Sequence, residues 1–91
     1  MSALPVLSVY VRPGCHLCDD ALAVISRLGE AHRFSLQVVD IEGDPVLHAR
    51  YLERIPVIAL DGEELYDFFV DEDDLRRRLT GPPEPLESSR A

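Results

Sequence analysis

Two cysteines, Cys15 and Cys18, are the residues whose type and spacing most directly indicate chemistry. They are the only cysteines of the chain, and they stand between an apolar run, Val6–Val11, and a helix-like run that begins near His16. A thiol at a helix N-terminus meets unpaired N–H groups and the positive end of the helix dipole, which favour the reactive thiolate. A second thiol one turn away can close a disulfide, so the pair predicts a dithiol redox centre.

The two thiols are expected to have different roles. Cys15 is the candidate nucleophile because it stands at the helix start. Cys18 lies on the apolar stripe of the predicted helix, so it should be more buried and should resolve a mixed disulfide formed at Cys15. We expect the intervening His16 and Leu17 to influence the reduction potential, and Arg12 to add positive charge beside the nucleophile.

The elements that position the cysteines are predicted from apolar periodicity. Val6–Val11 is rich in β-formers and almost continuously apolar, which is typical of a strand buried on both faces, and Arg12-Pro13-Gly14 ends it. From His16 to about Ala31 apolar residues recur at three- and four-residue steps, which predicts a helix. Phe34–Asp40 is the second strand. A strand, a helix and a strand in this order form a βαβ unit with parallel strands.

The second half of the chain is predicted to contain a helix, a hairpin and a last helix. Asp44-Pro45 is a helix-start signal, with an N-cap followed by proline at the first helical position. Ile55–Leu60 is the third strand, Asp61-Gly62 a tight turn, and Glu64–Val70 the fourth strand. Asp71 is expected to cap the last helix.

Length and charge limit the classes of function. The chain has 91 residues, enough for one small domain, which we assign to residues 1–79, with residues 80–91 as a flexible tail. The formal net charge is −8 and every basic residue is arginine, which argues against nucleic acid or an anionic membrane as a partner. Val6–Val11 is too short for a signal or a membrane span, so we expect a cytoplasmic protein. We also expect the protein to be a monomer.

The order βαβ, helix, hairpin, helix resembles the thioredoxin fold, and among its members the glutaredoxins most closely. The segment Tyr10–Cys18 is similar to the glutaredoxin active-site segment, and its Cys-His-Leu-Cys motif resembles that of small glutaredoxin-like proteins. Ile55-Pro56 resembles the family's cis-proline site, which faces the cysteines. The resemblance implies an α/β, thioredoxin-like fold with a four-stranded mixed sheet and helices on both faces.

One departure from the glutaredoxin pattern concerns glutathione. Glutaredoxins carry a Gly-Gly pair after the last hairpin, close to the glutathione site, and by register Tyr66 and Asp67 occupy that place. A bulky, acidic pair there is expected to block the tripeptide or to repel its carboxylates. Glutathione therefore stays a candidate reductant only.

The dithiol and the resemblance together predict a thiol–disulfide oxidoreductase. Its substrates would be protein disulfides or glutathionylated thiols, and a cellular thiol-reducing system would restore the dithiol. We expect neither a cofactor nor a metal. The candidate substrate-binding residues are Arg12, His16, Leu17, Ile55 and Pro56, and a cis bond at Pro56 would present the Ile55 backbone to the substrate.

Two other classes of function remain open at this point. The first is a non-catalytic thioredoxin-fold adaptor that binds a partner through its acidic surface. The second is an iron–sulfur or metal carrier. For zinc, His32 and His48 would complete a four-ligand set with the cysteines only if the fold brought all four residues together.

Overall fold

A four-stranded sheet forms the centre of the computed structural model, which describes residues 4–80. The strands are β1 (Val6–Val11), β2 (Ser35–Asp40), β3 (Val57–Leu60) and β4 (Glu63–Asp67). The α-helices are α1 (His16–Leu28), α2 (Pro45–Tyr51) and α3 (Glu72–Thr80), and a short 3₁₀ helix, Ile41–Gly43, precedes α2. The strand order is β2-β1-β3-β4, with β1 parallel to β2 and antiparallel to β3, which confirms the predicted mixed sheet.

The alternation of side chains along β1 gives the sheet two covered faces. Leu7 and Val9 are fully buried on the face that carries α1 and α3. Tyr10 lies on the opposite face, which carries α2. We call the two apolar groups the α1/α3 cluster and the α2 cluster. The buried members of the first are Leu7, Val9, Ala21, Ile25, Leu28, Ile58 and Leu75. Those of the second are Ile41, Tyr51 and Val57.

The starts of α2 and α3 confirm the caps predicted for them. Asp44 precedes Pro45, and its side chain accepts a hydrogen bond from the Val46 N–H at 2.9 Å. Asp71 accepts one from the Asp74 N–H at 3.0 Å before α3. Each carboxylate satisfies a backbone donor that has no partner inside its helix.

The hairpin is shorter than predicted at the end where β3 begins. β3 starts at Val57 rather than Ile55, because Pro56 has no N–H for the ladder. β4 ends at Asp67 rather than Val70, since the strand it pairs with ends there: the last pair is Val57 with Asp67.

Two helix boundaries also differ from the predicted ones. α1 ends at Leu28, before Gly29, rather than near Ala31. α3 includes Thr80, one residue beyond the predicted end of the domain. The rest of the predicted tail lies outside the described residues. No helix within residues 4–80 is long and apolar enough to cross a membrane.

Candidate functional site

Cys15 and Cys18 lie at the start of α1 and are joined by a disulfide. Cys15 is the N-cap of the helix, in extended conformation, and is half-buried. Cys18 is 1% exposed, as predicted for a residue on the apolar stripe. Their Cα atoms are 5.2 Å apart, within the range that a disulfide spans without backbone movement. Cys15 is therefore partly exposed, whereas Cys18 is enclosed in the fold.

The backbone of the first turn of α1 contacts the sulfur of Cys15. The Sγ atom of Cys15 accepts a hydrogen bond from the Cys18 N–H at 3.1 Å. The turn that leads into this arrangement contains Gly14 with φ of 78°, a conformation that glycine adopts at little cost. The first turn of α1 thus supplies the Cys15 sulfur with a backbone donor.

Arg12 forms an ion pair with Glu42, which the sequence analysis did not predict. Its Nη2 atom lies 2.8 Å from Oε2 of Glu42, in the 3₁₀ helix after β2. The parallel register aligns Val11 with Asp40, so the residues that follow these two strands emerge side by side. That register is the signal from which the pair could have been found. The positive charge expected beside Cys15 is therefore partly balanced by the Glu42 carboxylate.

His16 and Leu17 separate the two cysteines at the first turn of α1. His16 is exposed, and its imidazole makes no hydrogen bond or ion pair with another residue of the described chain. Leu17 is half-buried. Both residues are adjacent to the disulfide, and their contacts with a substrate stay predictions.

The Ile55–Pro56 peptide bond is cis, as the resemblance implied. β3 pairs Val57 with Tyr10, which places Pro56 beside the end of β1 from which the chain enters the cysteine loop. Pro56 is buried, and Ile55 is half-buried against the α2 cluster. Between residues 4 and 80, no backbone hydrogen bond uses the N–H or the carbonyl of Ile55. Its role in substrate binding stays a prediction.

Tyr66 and Asp67, the residues expected at the Gly-Gly place, are both engaged within the protein. The Tyr66 hydroxyl donates to the Asp74 carboxylate, and burial together with this bond raises the pKa of Tyr66. Asp67 binds Arg54 through two bonds of 3.0 Å. Both side chains therefore have hydrogen-bond partners within the protein.

The residues exposed directly after β4 are Phe68 and Phe69, which sequence reasoning placed inside the strand. Phe68 has φ of 70°, which is rare for a bulky residue. Its N–H donates to the carbonyl of Pro56 at 2.9 Å. The sequence pattern does not reveal that β4 ends before Phe68, because that end depends on where β3 begins.

A polar network lies beside the α2 cluster and extends along β4 from Glu64 to Asp67, both of which bind Arg54. Glu64 accepts hydrogen bonds from Arg54 at 2.7 Å and from the Tyr51 hydroxyl at 2.8 Å. These two bonds lower the pKa of Glu64. The Tyr51 ring stacks on Tyr10 with centroids 4.5 Å apart. The network connects α2, β1 and β4 through side chains far apart in sequence.

No metal-binding group is found in the part of the chain that the structure describes. There, no cluster of three or more His, Cys, Asp or Glu side chains could hold an ion. The structure does not bring His32 and His48 together with the cysteines as a ligand set.

Comparison with known proteins gives a family and several relatives. The family model described as Glutaredoxin-like domain (DUF836) matches residues 6–80. An uncharacterised protein of Mycobacterium tuberculosis is 31% identical over 77 residues, which cover 79% of this chain and 79% of the relative. The solution structure of protein Ne2328 from Nitrosomonas europaea is 33% identical, with a TM-score of 0.75, and covers 87% of this chain and 95% of that one.

A likeness to thioredoxin concerns the fold alone. A mutant thioredoxin of Halobacterium salinarum superposes with a TM-score of 0.62 at 24% identity. The alignment covers 82% of this chain and 71% of the thioredoxin. The sheet order and the helices on both faces are thus those of a thioredoxin-like fold.

Proposed function

The chain belongs to the Glutaredoxin-like domain family (DUF836), and we propose that it is a thiol–disulfide oxidoreductase that reduces protein or mixed disulfides. One observation carries this proposal. The half-buried Cys15 caps α1, with the buried Cys18 joined to it as a disulfide. A fixed dithiol at a helix start has the geometry needed to exchange two electrons with another disulfide.

The reaction begins with the reduced pair. The Cys15 thiolate attacks one sulfur of the substrate disulfide, forms a mixed disulfide with it and releases the other sulfur as a thiolate. Cys18, after losing its proton, attacks the Cys15 sulfur and releases the second substrate thiolate. The substrate gains two electrons, and the protein is left with the Cys15–Cys18 disulfide.

The surroundings of the cysteines support this division of labour. The Cys18 N–H and the N-terminus of α1 stabilise negative charge at the Cys15 sulfur. Burial keeps Cys18 from reacting with solutes until the mixed disulfide has formed next to it. The unbonded backbone of Ile55 offers a donor and an acceptor to an extended substrate segment.

Regeneration requires an external thiol reductant. We propose a cellular thiol-reducing system as that partner, with protein disulfides or glutathionylated thiols as substrates, and glutathione as a candidate electron donor. Such recycling fits the cytoplasm, where thiols are kept reduced. The substrate contacts are assigned to Arg12, His16, Leu17, Ile55 and Pro56, with no cofactor and no metal in the reaction.

The test is the rate at which the pre-reduced protein reduces a small neutral disulfide, compared among the wild type, Cys15→Ser and Cys18→Ser. We expect Cys15→Ser to abolish the reaction. Cys18→Ser should instead accumulate a mixed disulfide, detectable as an added mass on the protein. Equal rates in all three proteins would remove the proposal and favour a non-catalytic adaptor.

A further inference from the structure

We propose that Phe68 and Phe69 form a docking surface for an uncharged, apolar segment next to the target disulfide of a protein substrate. The inference rests on the proposed oxidoreductase function and names the class of substrate.

Their position is the end of the sheet that carries the redox site. The Phe68 N–H donates to the carbonyl of the cis Pro56, and Pro56 lies beside the end of β1 that leads to Cys15. β1 and β4 are separated only by β3. Two strand spacings amount to about 10 Å, a distance that three or four residues of an extended segment cover.

The conformation of Phe68 is one that glycine usually supplies. In addition to φ of 70°, the Phe69 N–H donates to the Asp67 carbonyl at 2.7 Å, which makes a γ-turn around Phe68. Turns of this hand are rare and strained. A bulky residue in such a turn beside a redox centre indicates that its side chain has a use there.

Both rings are exposed to solvent and belong to neither apolar cluster. Phe69 is 69% exposed and Phe68 is 43% exposed. Exposed aromatic rings are typical anchors of protein interfaces, because they bury a large area and lose little side-chain freedom on binding. An apolar segment laid over them would recover this area.

Charge at this end of the sheet disfavours an anionic substrate. Arg12, which directly follows β1, is paired with Glu42, and Arg54 is paired with Asp67, the last residue of β4. A carboxylate of glutathione or of an acidic segment would meet arginines whose charge is already balanced by these partners. The chain also carries a formal net charge of −8, which repels anions. The surface therefore fits a segment without charge.

The experiment measures second-order rate constants of the pre-reduced protein with four disulfides. Two are peptide disulfides of equal length, one with apolar and one with acidic flanking residues. The third is a glutathionylated peptide, and the fourth is hydroxyethyl disulfide, which has no flanks. For the wild type we expect the apolar peptide to react about tenfold faster than the acidic one, the effect of one good anchor.

The informative quantity in the variants is the rate with the apolar peptide divided by the rate with hydroxyethyl disulfide. Phe69→Ser and Phe68→Gly/Phe69→Ser should each lower this ratio, the double variant by about tenfold. The matched control is Leu36→Ala, because Leu36 is 44% exposed on β2, the strand at the opposite edge of the sheet from β4. It should leave the ratio at the wild-type value.

Three results would overturn the inference. They are a ratio that the double variant retains, a ratio that Leu36→Ala lowers equally, and a wild type that prefers the acidic or the glutathionylated peptide. Circular dichroism of each variant checks that it is folded, because an unfolded dithiol would also lose the preference, and Phe69→Ser, a change at a residue that is 69% exposed, keeps the test informative should the double variant not fold. A wild type that reduces none of the four disulfides would instead reject the oxidoreductase function itself.

Discussion

The two faces of the sheet are stabilised by different kinds of contact. The α1/α3 cluster is built from buried aliphatic side chains that fill the space beneath α1 and α3. The α2 face combines a smaller cluster with stacked tyrosines and a network in which Glu64 and Asp67 both bind Arg54. The first face supports the disulfide through α1, and the second supports the cis proline and the end of β4.

Each face of the sheet therefore controls different properties of the site. Aliphatic packing contains no group that titrates and no charge that salt screens, so the position of α1, and with it of the cysteines, should persist over a wide range of pH and at moderate ionic strength. Hydrogen bonds between charged groups depend on protonation and on screening. The surroundings of Pro56 and Phe68 should therefore respond to acid and salt more than the cysteines do.

The largest expected effect comes from a cavity in the α1/α3 cluster. Ile25 is fully buried there, and Ile25→Ala should lower the free energy of unfolding by about 2–5 kcal/mol. Ile25→Val, should the alanine variant not fold, is expected to cost about 0.5–1.5 kcal/mol. Urea unfolding at neutral and at acidic pH checks this, and a loss that vanishes in acid would contradict the assignment of aliphatic packing around Ile25.

The next effect concerns the network on the α2 face. Glu64→Gln removes the charge that Arg54 binds and should lower the free energy of unfolding by about 1–2 kcal/mol at neutral pH. Since the folded state lowers the pKa of Glu64, its contribution is complete above about pH 4.3 and is lost as the pH falls through the lowered value. Urea unfolding of both proteins across acidic pH should show the difference vanish, and a constant difference would contradict it.

A smaller effect is expected at high pH from Tyr66, the polar exception on the α1/α3 face. Burial, and then its bond to Asp74, raise the pKa of Tyr66, so the folded state disfavours the tyrosinate. Its stabilisation is complete below pH of about 10 and is lost as the pH rises through the raised value. Tyr66→Phe should therefore lose less stability than the wild type in alkaline buffer. Equal losses of stability in the two proteins, measured by thermal unfolding, would show that the folded state does not raise the pKa of the Tyr66 hydroxyl.

The smallest effect on stability comes from the ion pair beside the cysteines. Arg12 and Glu42 are both about 40% exposed, so Glu42→Gln should cost less than about 1 kcal/mol. It leaves the guanidinium unpaired near Cys15, which should increase the thiolate fraction and the rate of alkylation of the reduced protein. Glu30→Gln, the same change of charge in an exposed residue after α1, is the control. Equal rates in the two variants would show that Arg12 does not act on the sulfur.

Much of the fold follows from local sequence signals. Periodicity predicts each strand and α-helix in the right order, and Asp44-Pro45 and Asp71 mark the starts of α2 and α3 because capping is decided within one helical turn. The burial of Cys18 follows from its place on the apolar stripe. The cis bond at Pro56 came from the resemblance, since proline bonds are mostly trans.

The parts that local signals could not give depend on the pairing of strands. The end of β4 is set by the beginning of β3, so the apolar run through Phe68 and Phe69 suggests a longer strand than the ladder supports. The partners of Arg12 and Arg54 are acidic residues brought near by register and by the hairpin. With many acidic residues in the chain, sequence alone does not choose among them.

The burial of Cys18 directly behind Cys15 has a practical consequence for labelling. With the disulfide opened and the protein still folded, a maleimide dye should react at Cys15 alone, because Cys15 is half-buried and Cys18 is 1% exposed. The conjugate would carry one dye per chain at a defined position, with no cysteine to be engineered out. Unfolding would double that stoichiometry, so the number of dyes attached would itself report whether the first turn of α1 is intact.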